Sequence, residues 1–253
     1  MRKKGVKSKE NEILKKKVDK DFLISVDDIF KLNFKFKNKV QKELYDKILA
    51  NRIVFVKGVA GTGKTFVSLL AALSCIKESE YGINKIVLTK IITPASKDIG
   101  YLKGNLKEKT EPYFISFYDN LYKIIGSKST EILKESEIIE EKLVNFVRGS
   151  TFGTYDSKGN PIGNICILDE AQNTTINELK TYISRLGEKS KLIILGDADQ
   201  VDIKLPNNQK NGLEDAFNRF QGIDGIDFFE FSDDDIVRDK FLIEIMKRYK
   251  NNI

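Results

Sequence analysis

The residues Gly58-Val59-Ala60-Gly61-Thr62-Gly63-Lys64-Thr65 match the spacing G-x-x-x-x-G-K-T. Glycines at these positions let the backbone close around an anion with several N–H groups turned inward. Lys64 can reach the outer phosphates of a nucleoside triphosphate, and the Thr65 hydroxyl can ligate Mg²⁺. Two acids offer the complementary chemistry: the apolar run Ile165-Cys166-Ile167-Leu168 ends in Asp169-Glu170. The first acid can hold the ion directly or through water, and the second can orient and deprotonate an attacking water. Further on, Lys191 to Leu195 leads into Gly196-Asp197-Ala198-Asp199-Gln200. There Gln200 can bond the terminal phosphate or the attacking water, and an ordinary turn after a strand reads equally well.

Arg238 stands at the opening of a last helical pattern, where a cation opposes the helix dipole. It either neutralises charge on the terminal phosphate or pairs with Asp233, Asp234 or Asp235. With no histidine in the chain, imidazole acid–base catalysis and histidine metal ligation are excluded. Carboxylates, lysines, arginines, hydroxyls and a bound ion must do the work.

These groups need strands and helices in a particular order. Ile53 to Val56 is an apolar β-rich run before the glycine loop, and Phe66 to Ile76 is a helical pattern after it. Upstream, Val40, Leu44, Ile48 and Leu49 recur at helical spacing between Asn38 and Leu49, with Gln41 beside them. Downstream, Lys85 to Lys90 reads as a strand and Pro94 to Lys107 as loop. Helical patterns follow from Glu111 to Ile125 and from Thr130 to Glu141. The turn signal Asp156-Ser157-Lys158-Gly159-Asn160-Pro161 predicts a small hairpin. Asn164 to Leu168 and Lys191 to Leu195 have the apolar character of buried parallel strands, with a helix from Ile176 to Leu186 between them. One of Asn173, Thr174 and Thr175 is expected to cap that helix. Helix Gly212 to Phe220, strand Ile226 to Phe231 and helix Arg238 to Tyr249 complete the order. Alternating strand and helix predicts a parallel sheet sandwiched between helices.

The 253 residues are 41% hydrophobic and 32% charged, enough for one α/β domain with a sizeable core. Both cysteines, Cys75 and Cys166, sit in apolar runs and read as buried thiols in a reducing compartment. No apolar stretch has membrane-spanning length and the N-terminus is lysine-rich, so a cytoplasmic protein without membrane contact is expected. The net charge of +6 suits an anionic partner or simply a lysine-rich codon bias. Residues 1–34 read as a basic arm and lead-in, partly disordered, and 35–253 as the folded domain.

Together these strings resemble the PhoH family, ATPases with a core like that of superfamily 1 helicases, frequent in bacteria and phages. The resemblance runs in family order from about residue 35 to the end. It is carried by Asn38 and Gln41, GVAGTGKT, IGYLKGNLKEKTEPY at 99–113, FVRGSTF at 146–152 and ILDEAQNTT at 167–175. SRLGEKSKLIILGDADQVDIKLP at 184–206, NGLEDAF at 211–217 and DDIVRD at 234–239 continue it. It implies a P-loop NTPase fold with a single RecA-like core, ATP and Mg²⁺ as ligands, and Gln41 reading the adenine edge. It also implies RNA or single-stranded DNA as partner and a ring-shaped homo-oligomer such as a hexamer. Arg148 and Arg185 would contact phosphate or a neighbouring subunit. The chain departs from the family where Thr89-Lys90-Ile91 replaces Thr-Arg-Pro and where Ser150 replaces an arginine. The resulting expectation is a Mg²⁺-dependent ATPase coupled to nucleic acid. The alternative is a nucleotide-gated assembly module whose turnover is incidental. A small-molecule kinase fits less well, because the acid pair and glutamine suit water as nucleophile.

Overall fold

The computed structural model describes residues 29–32, 34–91, 106–197, 199–206 and 209–237, together with Phe241, Ile245 and Arg248. Its elements are α1 (Lys39–Ala50), β1 (Ile53–Lys57), α2 (Lys64–Lys77), β2 (Ile83–Lys90), α3 (Leu106–Glu135) and β3 (Ile139–Leu143). Then come β4 (Thr154–Tyr155), β5 (Pro161–Asp169), α4 (Ile176–Ile183), β6 (Lys191–Gly196), α5 (Gly212–Arg219) and β7 (Ile226–Glu230). The strands run β3-β2-β5-β6-β1-β7, parallel throughout, and β4 folds back antiparallel on the start of β5 as the expected hairpin.

Strand alternation feeds two cores. Val54, Val56, Ile86, Leu88, Ile165, Ile167, Ile193 and Leu195 face α1, α2 and α3. Their neighbours Ile53, Phe55, Val87, Cys166, Leu168, Leu192 and Ile194 face α4 and α5, through Leu179, Tyr182, Leu213 and Ala216. Burial on both faces is why these strands are continuous apolar runs rather than alternating ones. Ile29 and Phe30 of the lead-in are themselves buried in the first core. No helix among the described residues is long and apolar enough to cross a membrane.

Most expected elements recur with ends shifted by a few residues, and one boundary is corrected. The helical pattern from Thr130 to Glu141 stops at Glu135, and Glu137 takes a left-handed turn at φ 57°. Ile139, Glu140 and Glu141 then pair with Ile86, Val87 and Leu88 as an edge strand. The pairing with β2 overrides a local pattern that suits either structure. The two helical patterns before it are joined in α3, with a break at Gly126 (φ 80°, ψ 161°). The loop expected from Pro94 lies outside the described residues as far as 105, and Leu106 and Lys107 already belong to α3. Arg238 and most of the last helical pattern also lie outside them, although Phe241, Ile245 and Arg248 are helical.

Candidate active site

β6 lies between β1 and β5, so the glycine loop after β1 and the acids after β5 face each other across the end of β6. All three strands are parallel, and their carboxyl ends form one edge where the loops converge.

The glycine loop begins where Gly58 N–H donates to Gly196 O at 3.2 Å, which fixes the loop to the end of β6. At the loop's end Gly63 has φ 90°, in the left-handed region, and a Cβ there would lie 2.5 Å from Gln41 Nε2. Only glycine fits both constraints. Thr62 Oγ1 donates to Val59 O at 3.0 Å, closing the loop internally. The Lys64 ammonium reaches across it to Gly58 O and, at 3.0 Å, to Val59 O. Gln41 is brought in by α1, whose cap is Asn38: its Oδ1 accepts from Gln41 N at 2.8 Å. The buried Gln41 side chain accepts from Lys37 N at 2.9 Å and donates to Thr62 O at 3.0 Å.

Across the cleft, Asp169 is the last residue of β5, and Glu170 turns away with φ 61° and ψ 34°. Lys90, at the end of β2, places its ammonium 2.8 Å from Asp169 Oδ2 and 3.9 Å from Glu170 Oε1. The end of β2 is held from below, where the Tyr182 hydroxyl donates to Thr89 Oγ1 at 3.2 Å. Burial pushes the Tyr182 phenol well above its ordinary pKa, so it stays a donor.

Gln172 is the hub of the acid side. Its Nε2 donates to Glu170 Oε2 at 2.6 Å and to Gln200 O at 3.0 Å, and its Oε1 accepts from Asp197 N at 3.0 Å. Gly196 makes this approach feasible: a Cβ there would lie 3.0 Å from Gln172 Oε1 and 2.3 Å from Leu213 Cδ2. The Gln200 amide in turn donates to Asp197 Oδ2 at 2.8 Å. Asn173 Oδ1 accepts from Asp202 N at 2.7 Å, a second tie between the same two segments. Of the three candidate caps, Thr175 caps α4, in a reciprocal capping box with Glu178.

One cavity of about 570 Å³ joins the two sides, with Gln41, Lys64, Thr65, Asp169, Glu170 and Gln200 among its lining. Ala60, Gly61 and Gly63 also line it, while Gly58, Val59 and Thr62 shape the loop behind. The volume is that of a small-molecule site. Arg238 lies outside the described residues, but its neighbour Val237 lines the cavity and donates its N–H to Gly61 O at 3.0 Å. Asp235, one of the suggested partners of Arg238, accepts from Ser232 N and Oγ at 2.8 Å. Arg148 is exposed and Arg185 bonds Ser184 and Ser150, and neither lines the cavity. Sequence reasoning passed over Gln172 and Asp197 and treated Lys90 only as a departure from a pattern. The Thr65 hydroxyl and Asp169 carboxylate are hard oxygen donors of the kind Mg²⁺ takes. The ammonium resting on Asp169 marks that carboxylate as a cation's partner.

A strand, glycine loop and helix facing an acid-tipped strand, with a further strand between them, define a P-loop nucleotide-binding fold with one RecA-like core. The family model described as PhoH-like protein matches residues 33–250, and the chain belongs to that family. It is 38% identical over 217 residues to a PhoH-like protein of Bacillus subtilis (strain 168), covering 86% of this chain and 64% of that one. It is 35% identical over 209 residues to a PhoH-like protein of Mycobacterium leprae (strain TN), covering 83% of this chain and 56% of that one. The chain thus spans roughly three fifths of the length of these relatives. Among solved structures, the helicase domain of Pyrococcus furiosus Hef is similar with a TM-score of 0.42 and 13% identity. That likeness covers 78% of this chain and 38% of the other.

Proposed function

We propose that this protein hydrolyses ATP with Mg²⁺ and couples the turnover to RNA or single-stranded DNA. The observation that carries the proposal is the shared cavity, with Lys64 and Thr65 on one wall and Asp169, Glu170 and Gln200 on the other. In this reading the second amide N–H of Gln41 reads the adenine edge, and the loop from Gly58 to Thr65 wraps the phosphates. Lys64 leaves its loop carbonyls for the outer phosphates. Thr65 and Asp169 hold Mg²⁺, which when bound neutralises charge on the phosphate oxygens. Glu170 orients a water and takes its proton, Gln200 bonds the terminal phosphate, and Arg238 neutralises charge there in the transition state. The net charge of +6, with Lys35, Lys37 and Lys123 on the cavity wall, supports an anionic partner beyond the nucleotide. Arg148 and Arg185, away from the cavity, are assigned to neighbouring subunits of a ring-shaped homo-oligomer in the cytoplasm.

The test is phosphate release with and without RNA and single-stranded DNA, across a salt series. Stimulation that weakens steeply as salt rises is the expected result. Glu170→Gln should bind ATP but release almost no phosphate, and Lys64→Ala should lose nucleotide affinity. Wild-type turnover in Glu170→Gln would remove Glu170 as base. Nucleotide binding without stimulated turnover would favour the nucleotide-gated assembly module.

A further inference from the structure

We propose that Lys90 is a resident counter-cation for the acid pair, holding Asp169 and Glu170 together and competing with the divalent ion for Asp169. The proposal rests on the assignment of Asp169 to that ion. Its first support is register. Lys90 and Asp169 are direct partners on the adjacent parallel strands β2 and β5, so their side chains leave the sheet on the same side. The ammonium lies 2.8 Å from Asp169 Oδ2 and 3.9 Å from Glu170 Oε1. The second support is enclosure: the Lys90 side chain is 11% exposed and that of Asp169 is 9% exposed. Water and salt screen so enclosed a pair poorly. The third is confinement. The Lys90 ammonium stands 5.5 Å from the centre of the Phe117 ring on α3, which closes one side of it while the other borders the cavity.

Two adjacent carboxylates repel each other, and the ammonium between them offsets that repulsion. The same ammonium occupies Asp169 Oδ2 while Oδ1 accepts from Glu170 N at 3.1 Å. A divalent ion approaching Asp169 therefore meets a like charge and a carboxylate already engaged. Lys90 lowers the ion's affinity and keeps the acids in place until metal and nucleotide arrive together. This gives Lys90 a role inside the site.

The experiment uses Lys90→Met, which keeps the stem and removes the charge, with Lys90→Gln as a second neutral variant and Asp169→Asn as control. The Mg²⁺ concentration at half-maximal binding of a fluorescent ATP analogue is measured for each. Thermal unfolding is followed in parallel, in EDTA and in millimolar Mg²⁺ without nucleotide. The neutral variants should bind Mg²⁺ roughly fivefold or more tightly. They should also melt lower than wild type in EDTA and regain more of that loss when Mg²⁺ is added. A Mg²⁺ midpoint unchanged or raised in the neutral variants overturns the proposal. If Lys90→Met does not fold, Lys90→Gln decides the same question. If Asp169→Asn leaves the Mg²⁺ dependence of binding intact, the ion assignment fails instead, and the two failures are distinct.

Discussion

Glu170 takes a backbone conformation that an L residue with a long side chain seldom occupies, and it costs about 1–3 kcal/mol. Gln172, fully buried, ties the carboxylate that results to the loop carrying Gln200. With Glu170 as the proposed base, Gln172→Ala should lower kcat by about 10–100-fold, because that base loses its geometry while the phosphate loop is untouched. Nucleotide affinity should change little. Because Asp197 N–H would lose its acceptor, unfolding free energy should fall by about 1–3 kcal/mol. Phosphate release, analogue binding and urea unfolding on one preparation separate these effects, and an unchanged kcat would end the positioning role. Lys64, Thr65, Asp169 and Glu170, each picked out within a single string of the sequence, line one cavity in the fold. Gln172 stands in one of those strings too, but two of its three partners lie 25 and 28 positions away and become visible only when the ends of β5 and β6 meet.

Elements were legible where a cap or a loop announced them. Thr175 before α4 is such a signal, and Thr175→Ala should destabilise the protein by about 1 kcal/mol through the lost capping box. The C-terminal end of α1 is closed locally by Asn51, whose N–H and side-chain amide both donate to Lys47 O, and also from a distance. Its carbonyls at Ile48 and Leu49, and that of Asn51 just beyond, accept from the Lys191 ammonium at 3.2, 2.8 and 2.6 Å. A cation from the first residue of β6 thus completes a helix far upstream in sequence. Lys191→Met should leave these acceptors without their donor and lower stability by about 1–3 kcal/mol in urea unfolding. An effect below about 0.5 kcal/mol would show that water replaces the ammonium. The strand after α3 was misread because Ile138 and Ile139 continue a helical pattern, and only the neighbouring β2 decides against it.

For the whole molecule, alternating order predicted the parallel sheet but could not supply the strand order, which depends on pairings between strands far apart in the chain. The folded sheet divides its apolar residues between two cores, and each core holds one thiol, Cys75 above one face and Cys166 above the other. Burial pushes the Cys75 thiol from 9.0 up to about 12, and Cys166 also well above its ordinary value. Between those two values for Cys75 the native state keeps a proton that the unfolded chain has lost. Its contribution to stability is thus complete below pH 9 and is lost as pH rises toward 12. Native protein at pH 8 should accordingly resist thiol reagents at both positions. The central strands supply residues to both cores in alternation, so neither face can open without disrupting the other. In rising urea, Cys75 and Cys166 should become reactive with the same protection free energy, within about 0.5 kcal/mol, as one cooperative unit requires. Peptide mass spectrometry after timed labelling reads both sites in one sample, and a larger gap would mean that one helical layer detaches while the sheet remains.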